Sequence, residues 1–116
     1  KVMLLKIDVE GMEIDVLRGA EKTITKFYPL VCFEQHETDF LNCFNETEVI
    51  DWLRKKDYKI YAIYKPIRKN IILRRLKNIM QMIIGFKDSR EIIEYKKLPR
   101  GNYDMVYAIH SSVKIP

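Results

Sequence analysis

Four side chains in the first third of the chain are of types that move protons or hold cations. Asp8 and Glu10 follow the apolar run VMLLKI, and Glu34 and His36 follow the apolar run LVCF. Carboxylates that crowd together raise one another's pKa unless a cation or a donor intervenes, and an unperturbed imidazole titrates near pH ~6.5. Such a group can supply a general base near neutral pH, or oxygen and nitrogen ligands for a divalent metal. Either use requires the two pairs to converge. The plain alternative is that Asp8 and Glu10 cap the helix that follows while Glu34 to Glu37 is a solvated loop, the usual state of charged loop residues. Of the two histidines, His110 ends an apolar run near the end of the chain, where a surface role is expected.

Convergence depends on the elements that carry these residues. Residues Val2 to Val9 read as a strand apolar on both faces and hence buried. Val16, Leu17, Ala20, Ile24 and Phe27 then recur at three- and four-residue steps, lining one face of a helix that Pro29 closes. Leu30 to Phe33 forms a second apolar strand. Strand, helix and strand in this span make a βαβ unit with parallel strands and a right-handed crossover. Ligands in an open parallel sheet sit beyond the carboxyl ends of its strands, which gathers Asp8, Glu10, Glu34 and His36 on one rim.

Beyond the unit, Asn45 and Glu48 have capping-box spacing at the start of a helix through Val49, Ile50, Trp52 and Leu53, with Asp57 at the turn that follows. Tyr58 to Tyr64 alternates as a third strand, and Met105 to Ile109 reads as a fourth. Gly11 is expected to take a positive φ in a turn. Gly19, inside the helix, suggests close packing where a side chain would not fit. Trp52 is expected to pack on the core.

The chain has 116 residues, 47% hydrophobic and 32% charged, with four Gly and four Pro, which fits one globular α/β domain and leaves no room for a second. Cys32 and Cys43 lack CxxC spacing, so reduced thiols in a cytoplasmic setting are the default, with a bridge between them as the alternative. The net charge of +5 is unevenly spread: Lys65 to Lys87 contains seven Lys and Arg and no Asp or Glu, so the remainder is acidic by two charges. Nucleic-acid binding by the whole domain is therefore not expected. Ile67, Ile71, Ile72, Leu76, Ile79, Met80, Ile83 and Ile84 interleave with those cations, which predicts a basic amphipathic helix over about 65–87. It is read either as a helix packed on the sheet or as a peripheral contact with an anionic membrane or glycan. No window resembles a signal peptide or a spanning helix. Because Lys1 opens directly into an apolar run, the chain is expected to begin inside a longer product.

The stretch LKIDVEGMEIDVLRGAE, Leu5 to Glu21, resembles the carboxyl-terminal half of FkbM-type methyltransferases. Pro29 to Glu34 and Trp52 to Ile63 are similar to that family's next strand and its helix-then-Tyr strand. The resemblance implies a partial Rossmann-like methyltransferase sheet of about four strands here, with helices on both faces, in which Val2 to Val9 is the fourth strand of seven and Leu30 to Phe33 the fifth. Residues 1–116 would be the C-terminal portion of a methyltransferase domain, with a basic insertion at about 65–87. The implied activity is S-adenosylmethionine-dependent methylation of a hydroxyl on a glycan, lipid or small metabolite. His36 or Glu10 would then be the base, Asp8 would position cofactor or acceptor, and Glu34 would orient His36 or share a metal, whose need is left open. The glycine-rich cofactor loop does not occur among these residues and is expected upstream of Lys1, so the fragment is expected to be inactive alone. Asp57 stands where the family often has Gly. A binding or assembly module that keeps only the half-fold is the competing reading, and a carboxylate metal site for hydrolysis a third. Oligomeric state is open, although a half-sheet with a bare edge is expected to self-associate.

Overall fold

The computed structural model describes residues 1–63 and 92–114. In chain order the elements are β1 (Leu4–Ile7), α1 (Glu13–Gly19), α2 (Glu21–Phe27), β2 (Leu30–Gln35), α3 (Glu48–Lys55), β3 (Tyr58–Ile63), β4 (Ile92–Tyr95) and β5 (Tyr103–His110). They build one mixed α/β sheet in the order β1-β2-β5-β3-β4. β1 and β2 pair in parallel, as the βαβ reading requires, with Ile7 opposite Phe33. β5 enters between β2 and β3 and is antiparallel to both, and β4 adds an antiparallel strand outside β3. This fifth strand was not expected. The predicted basic helix at about 65–87 lies outside the described residues.

One face of the sheet carries the core. Leu17, Ile24, Ile50 and Leu53 from the three helices meet Val31, Phe33, Ile60 and Val106 from the strands, all with 1% or less of their surface exposed. Burying each such side chain contributes about 1.5–3 kcal/mol. α1 packs against both α2 and α3, and the Arg18–Glu48 ion pair joins α1 to α3 at 3.0 Å. The described helices therefore share this one face, and a second helical layer is not among the described residues. β1 is buried on one side only: Ile7 is covered, but Leu4 and Lys6 are exposed, because they point to the face that the described helices leave uncovered.

Several local expectations change. The single helix expected to end at Pro29 is two short helices that meet at Ala20, with the i→i−4 bonds of Ala20 and Ile24 running through the junction. Gly19 is exposed and a Cβ there would meet nothing within 4 Å, so it marks this junction and no close packing. The N-cap of α3 is Thr47, whose Oγ1 accepts from the Ile50 N–H at 3.2 Å. Asn45 instead donates its backbone N–H to Asp51 at 3.0 Å. Gly11 does take a positive φ of 77°, and Asp57 takes one of 62°. Trp52 packs against the core under Lys56. Both cysteines are free. No helix among the described residues is long and apolar enough to cross a membrane.

Candidate active site at the carboxyl rim of the sheet

β2 runs two residues further than its apolar stretch, and this extension shapes the rim. A register shift between Phe33 and Gln35 opposite β5 marks a bulge, a device that re-aims side chains at sheet ends. Phe33 and Gln35 are buried and Glu34 between them is exposed. The Gln35 amide is held from both sides: its Nε2 donates to Asp39 Oδ2 at 2.7 Å, and its Oε1 accepts from Thr47 Oγ1 at 2.7 Å. The reading of 34–37 as a solvated loop missed this residue. The period-two alternation of β2, continued past Phe33, would have placed Gln35 inside.

His36 follows directly. Its N–H donates to Asp39 Oδ2 at 2.8 Å and its C=O accepts from the Asp39 N–H at 3.0 Å, so its backbone is fixed on both sides. The imidazole Nε2 lies 3.7 Å from Glu34 Oε1, with about half of each side chain exposed. That separation is too long for a hydrogen bond and short enough for a charge pair once the ring takes up a proton. A carboxylate so placed stabilises the imidazolium that forms when histidine accepts a proton.

Asp8 stands one residue beyond Ile7, whose partner is Phe33, so the chain positions of Asp8 and Glu34 are neighbours on the rim. Asp8 and Glu10 are exposed. They do not cap α1. Its N-cap is Met12, with no side-chain cap, and it is Glu13 that reaches back to accept from the Gly11 N–H at 3.3 Å. Among the described residues no hydrogen bond or ion pair joins Asp8 or Glu10 to Glu34 or His36, and no three His, Cys, Asp or Glu side chains approach as a metal would need. Of the four candidate residues, Glu34 and His36 form the close pair, and Asp8 and Glu10 are exposed at the end of the neighbouring strand. Exposed carboxylates gain more from water than from crowding one another.

The second histidine is structural. The His110 ring stacks on Tyr28 with centroids 3.8 Å apart and meets the Tyr58 ring edge-on at 5.3 Å, while its Nδ1 accepts from the Ser112 N–H at 3.2 Å. Burial, with a smaller contribution from Tyr28, pushes the Tyr58 phenol up to about 12, and its hydroxyl donates to Pro29 O at 3.0 Å. Cys32 is buried and its thiol is pushed up by that burial, opposed by the Lys6 charge beside it. Neither group belongs to the rim.

A family model described as the methyltransferase FkbM domain matches residues 1–60. That span contains β1, α1, α2, β2 and α3, and with them Asp8, Glu10, Glu34 and His36. The chain belongs to the FkbM methyltransferase family. Neither the curated proteins nor the solved structures give a match. The sheet is Rossmann-like, as the family implies, and the FkbM match ends inside β3, so β4 and β5 lie beyond the matched residues.

Proposed function

We propose that this FkbM chain takes part in S-adenosylmethionine-dependent methylation of a hydroxyl group, with His36 as the base and Glu34 as the residue that orients it. The observation that carries the reading is the 3.7 Å Glu34–His36 pair at the carboxyl end of β2, next in the sheet to the strand that ends before Asp8. A hydroxyl must lose its proton as its oxygen takes the methyl group, and a half-exposed imidazole can accept that proton while the adjacent carboxylate holds the resulting cation.

Family membership implies the cofactor, and the residues present fit one side of it. The carboxylates of Asp8 and Glu10 suit its cationic centres, and the backbone at Gly11 is open, with nothing within 4 Å of a Cβ position. The four glycines at 11, 19, 85 and 101 form no glycine-rich cradle. Asp8 is therefore the residue assigned to hold the cofactor or to position the acceptor. When bound, S-adenosylmethionine supplies an electrophilic methyl group. The acceptor is a hydroxyl of a glycan, a lipid or a small metabolite.

The test is turnover of S-adenosylmethionine to S-adenosylhomocysteine against a panel of hydroxylated acceptors, in the protein that carries this sequence. Asp8→Ala and His36→Ala each lower the rate at least about tenfold, or about 1.4 kcal/mol in the barrier. Unchanged turnover in both variants removes the assignments. Absence of cofactor binding in calorimetry replaces the enzyme with a binding or assembly module.

A further inference from the structure

Connected to the His36 rim through Glu37, which pairs with Arg100, the structure forms an open cleft of about 480 Å³ whose walls come from two connections distant in sequence. One wall is the β2–α3 connection, with Phe40, Leu41 and Phe44. The other is the β4–β5 connection, with Lys97, Pro99 and Arg100. The cleft is open to solvent and combines an apolar wall with a few polar groups at its edge.

The floor is cross-linked by buried polar bonds in which the charge of Glu46 is matched by Arg54. The Glu46 carboxylate is fully buried; it receives the Arg54 guanidinium through Nε and through Nη2 at 3.1 Å, and the Leu98 N–H at 2.7 Å. The charge of Glu46 is thus consumed within the fold. Two cations remain at the mouth. Lys97 makes no ion pair among the described residues. Arg100 pairs with Glu37, at 3.4 Å, with more than half of each side chain exposed. Exposed pairs of this kind are worth about 0–1 kcal/mol and exchange readily for a better anion. Glu37 follows His36 in the chain, and its N–H donates to Asn102 Oδ1 at 2.8 Å, so the same residue links the candidate base to the second wall of the cleft.

We infer that this cleft is the acceptor subsite: it takes the anionic end of a small acceptor, a carboxylate or a phosphate, on Arg100 and Lys97, and lays the apolar body of that acceptor against Phe40, Leu41 and Phe44. The inference rests on the methyl-transfer reading for the word acceptor, but the binding it describes does not require the cofactor. An arriving anion displaces the Glu37 carboxylate from Arg100, and a guanidinium suits both anions because its fork can engage two oxygens at once.

Calorimetry on the full chain, without cofactor, compares hexyl phosphate, hexanoate and uncharged hexyl glucoside. The expected result is tighter binding of at least one of the two anions than of the glucoside, and a loss of about tenfold or more in that anion's affinity in the Lys97→Gln, Arg100→Gln double variant. Hexyl glucoside binding stays unchanged in that variant, as does anion binding in the distant control Lys59→Gln. The comparison between hexyl phosphate and hexanoate separates a phosphate from a carboxylate site. Equal binding of all three probes, or anion binding that survives the double variant, overturns the inference. Failure of this test leaves the methyl-transfer reading standing on its own turnover assay in the protein that carries this sequence, and anion binding here with no S-adenosylmethionine turnover in that protein keeps the subsite and removes the methyl-transfer reading.

Discussion

Asp57 holds a backbone conformation that an L side chain adopts at a cost, with φ at 62° and its C=O accepting from the Ser111 N–H at 2.9 Å. Replacing Asp57 by Gly removes the Cβ that makes this region unfavourable, set against the extra freedom glycine gives the unfolded chain. Asp57→Gly is expected to stabilise the fold by about 0.5–1 kcal/mol, read as a higher thermal midpoint. Two tyrosines set the alkaline limit. Burial pushes Tyr58 and Tyr103 up to about 12 from an ordinary value of 10, with smaller contributions from Tyr28 and Tyr95 respectively. Both groups are neutral when protonated and the folded state holds the proton longer. Their contribution is therefore complete below pH 10 and is lost as pH rises through about 12. Urea midpoints measured from pH 9 to pH 12 should fall steeply above pH 10, and the Tyr58→Phe, Tyr103→Phe double variant should flatten that fall.

At the scale of elements, α3 is tied to β2 through a single threonine. Thr47 Oγ1 caps α3 at Ile50 and donates to the buried Gln35 amide. Thr47→Ala removes the cap and strands Gln35 Oε1, and together these are expected to cost about 2–3 kcal/mol, measured by chemical denaturation. Thr47→Ser keeps both bonds and should recover most of the loss. Legibility in the sequence divides along the same line. The βαβ unit from β1 to β2 was readable because apolar runs and helical spacing are local signals. The helix junction at Ala20 and the strand β4 were not: IIEY is four residues long with alternate exposed positions, too short to stand out. The N-cap was misplaced because Asn45 and Glu48 match a capping pattern that Thr47, two residues on, satisfies in fact with a different partner set.

Across the whole molecule, the cluster that could not be read in advance is the one that joins distant segments. Glu46 brings together α3, through Arg54, and the β4–β5 connection, through Leu98, while Arg54 Nη2 also donates to Tyr95 O at the end of β4 at 2.7 Å. Neither spacing nor composition relates residue 46 to residue 98. The site divides in the same way: the rule for parallel strands puts the four candidate residues at one end of the sheet, whereas the buried Gln35 beside them is set by a bulge and by loop contacts that only the tertiary fold supplies. Glu46→Gln is expected to lower stability by about 2–3 kcal/mol, less than for a wholly buried pair because Arg54 keeps some access to water. Amide exchange at Leu98 should accelerate in that variant by more than at Phe33, in the sheet interior.

The position of β5 carries a consequence for how the chain comes to be folded. The ribosome makes β2 and β3 well before Tyr103–His110, yet these two strands touch the later segment and not each other. While residues 103–110 are still inside the exit tunnel, the two earlier strands each present an unsatisfied row of amides and carbonyls to their surroundings. Chaperone occupancy should therefore last at least until β5 emerges, and a nascent chain stalled before Tyr103 should be prone to pairing with its neighbours on the same polysome.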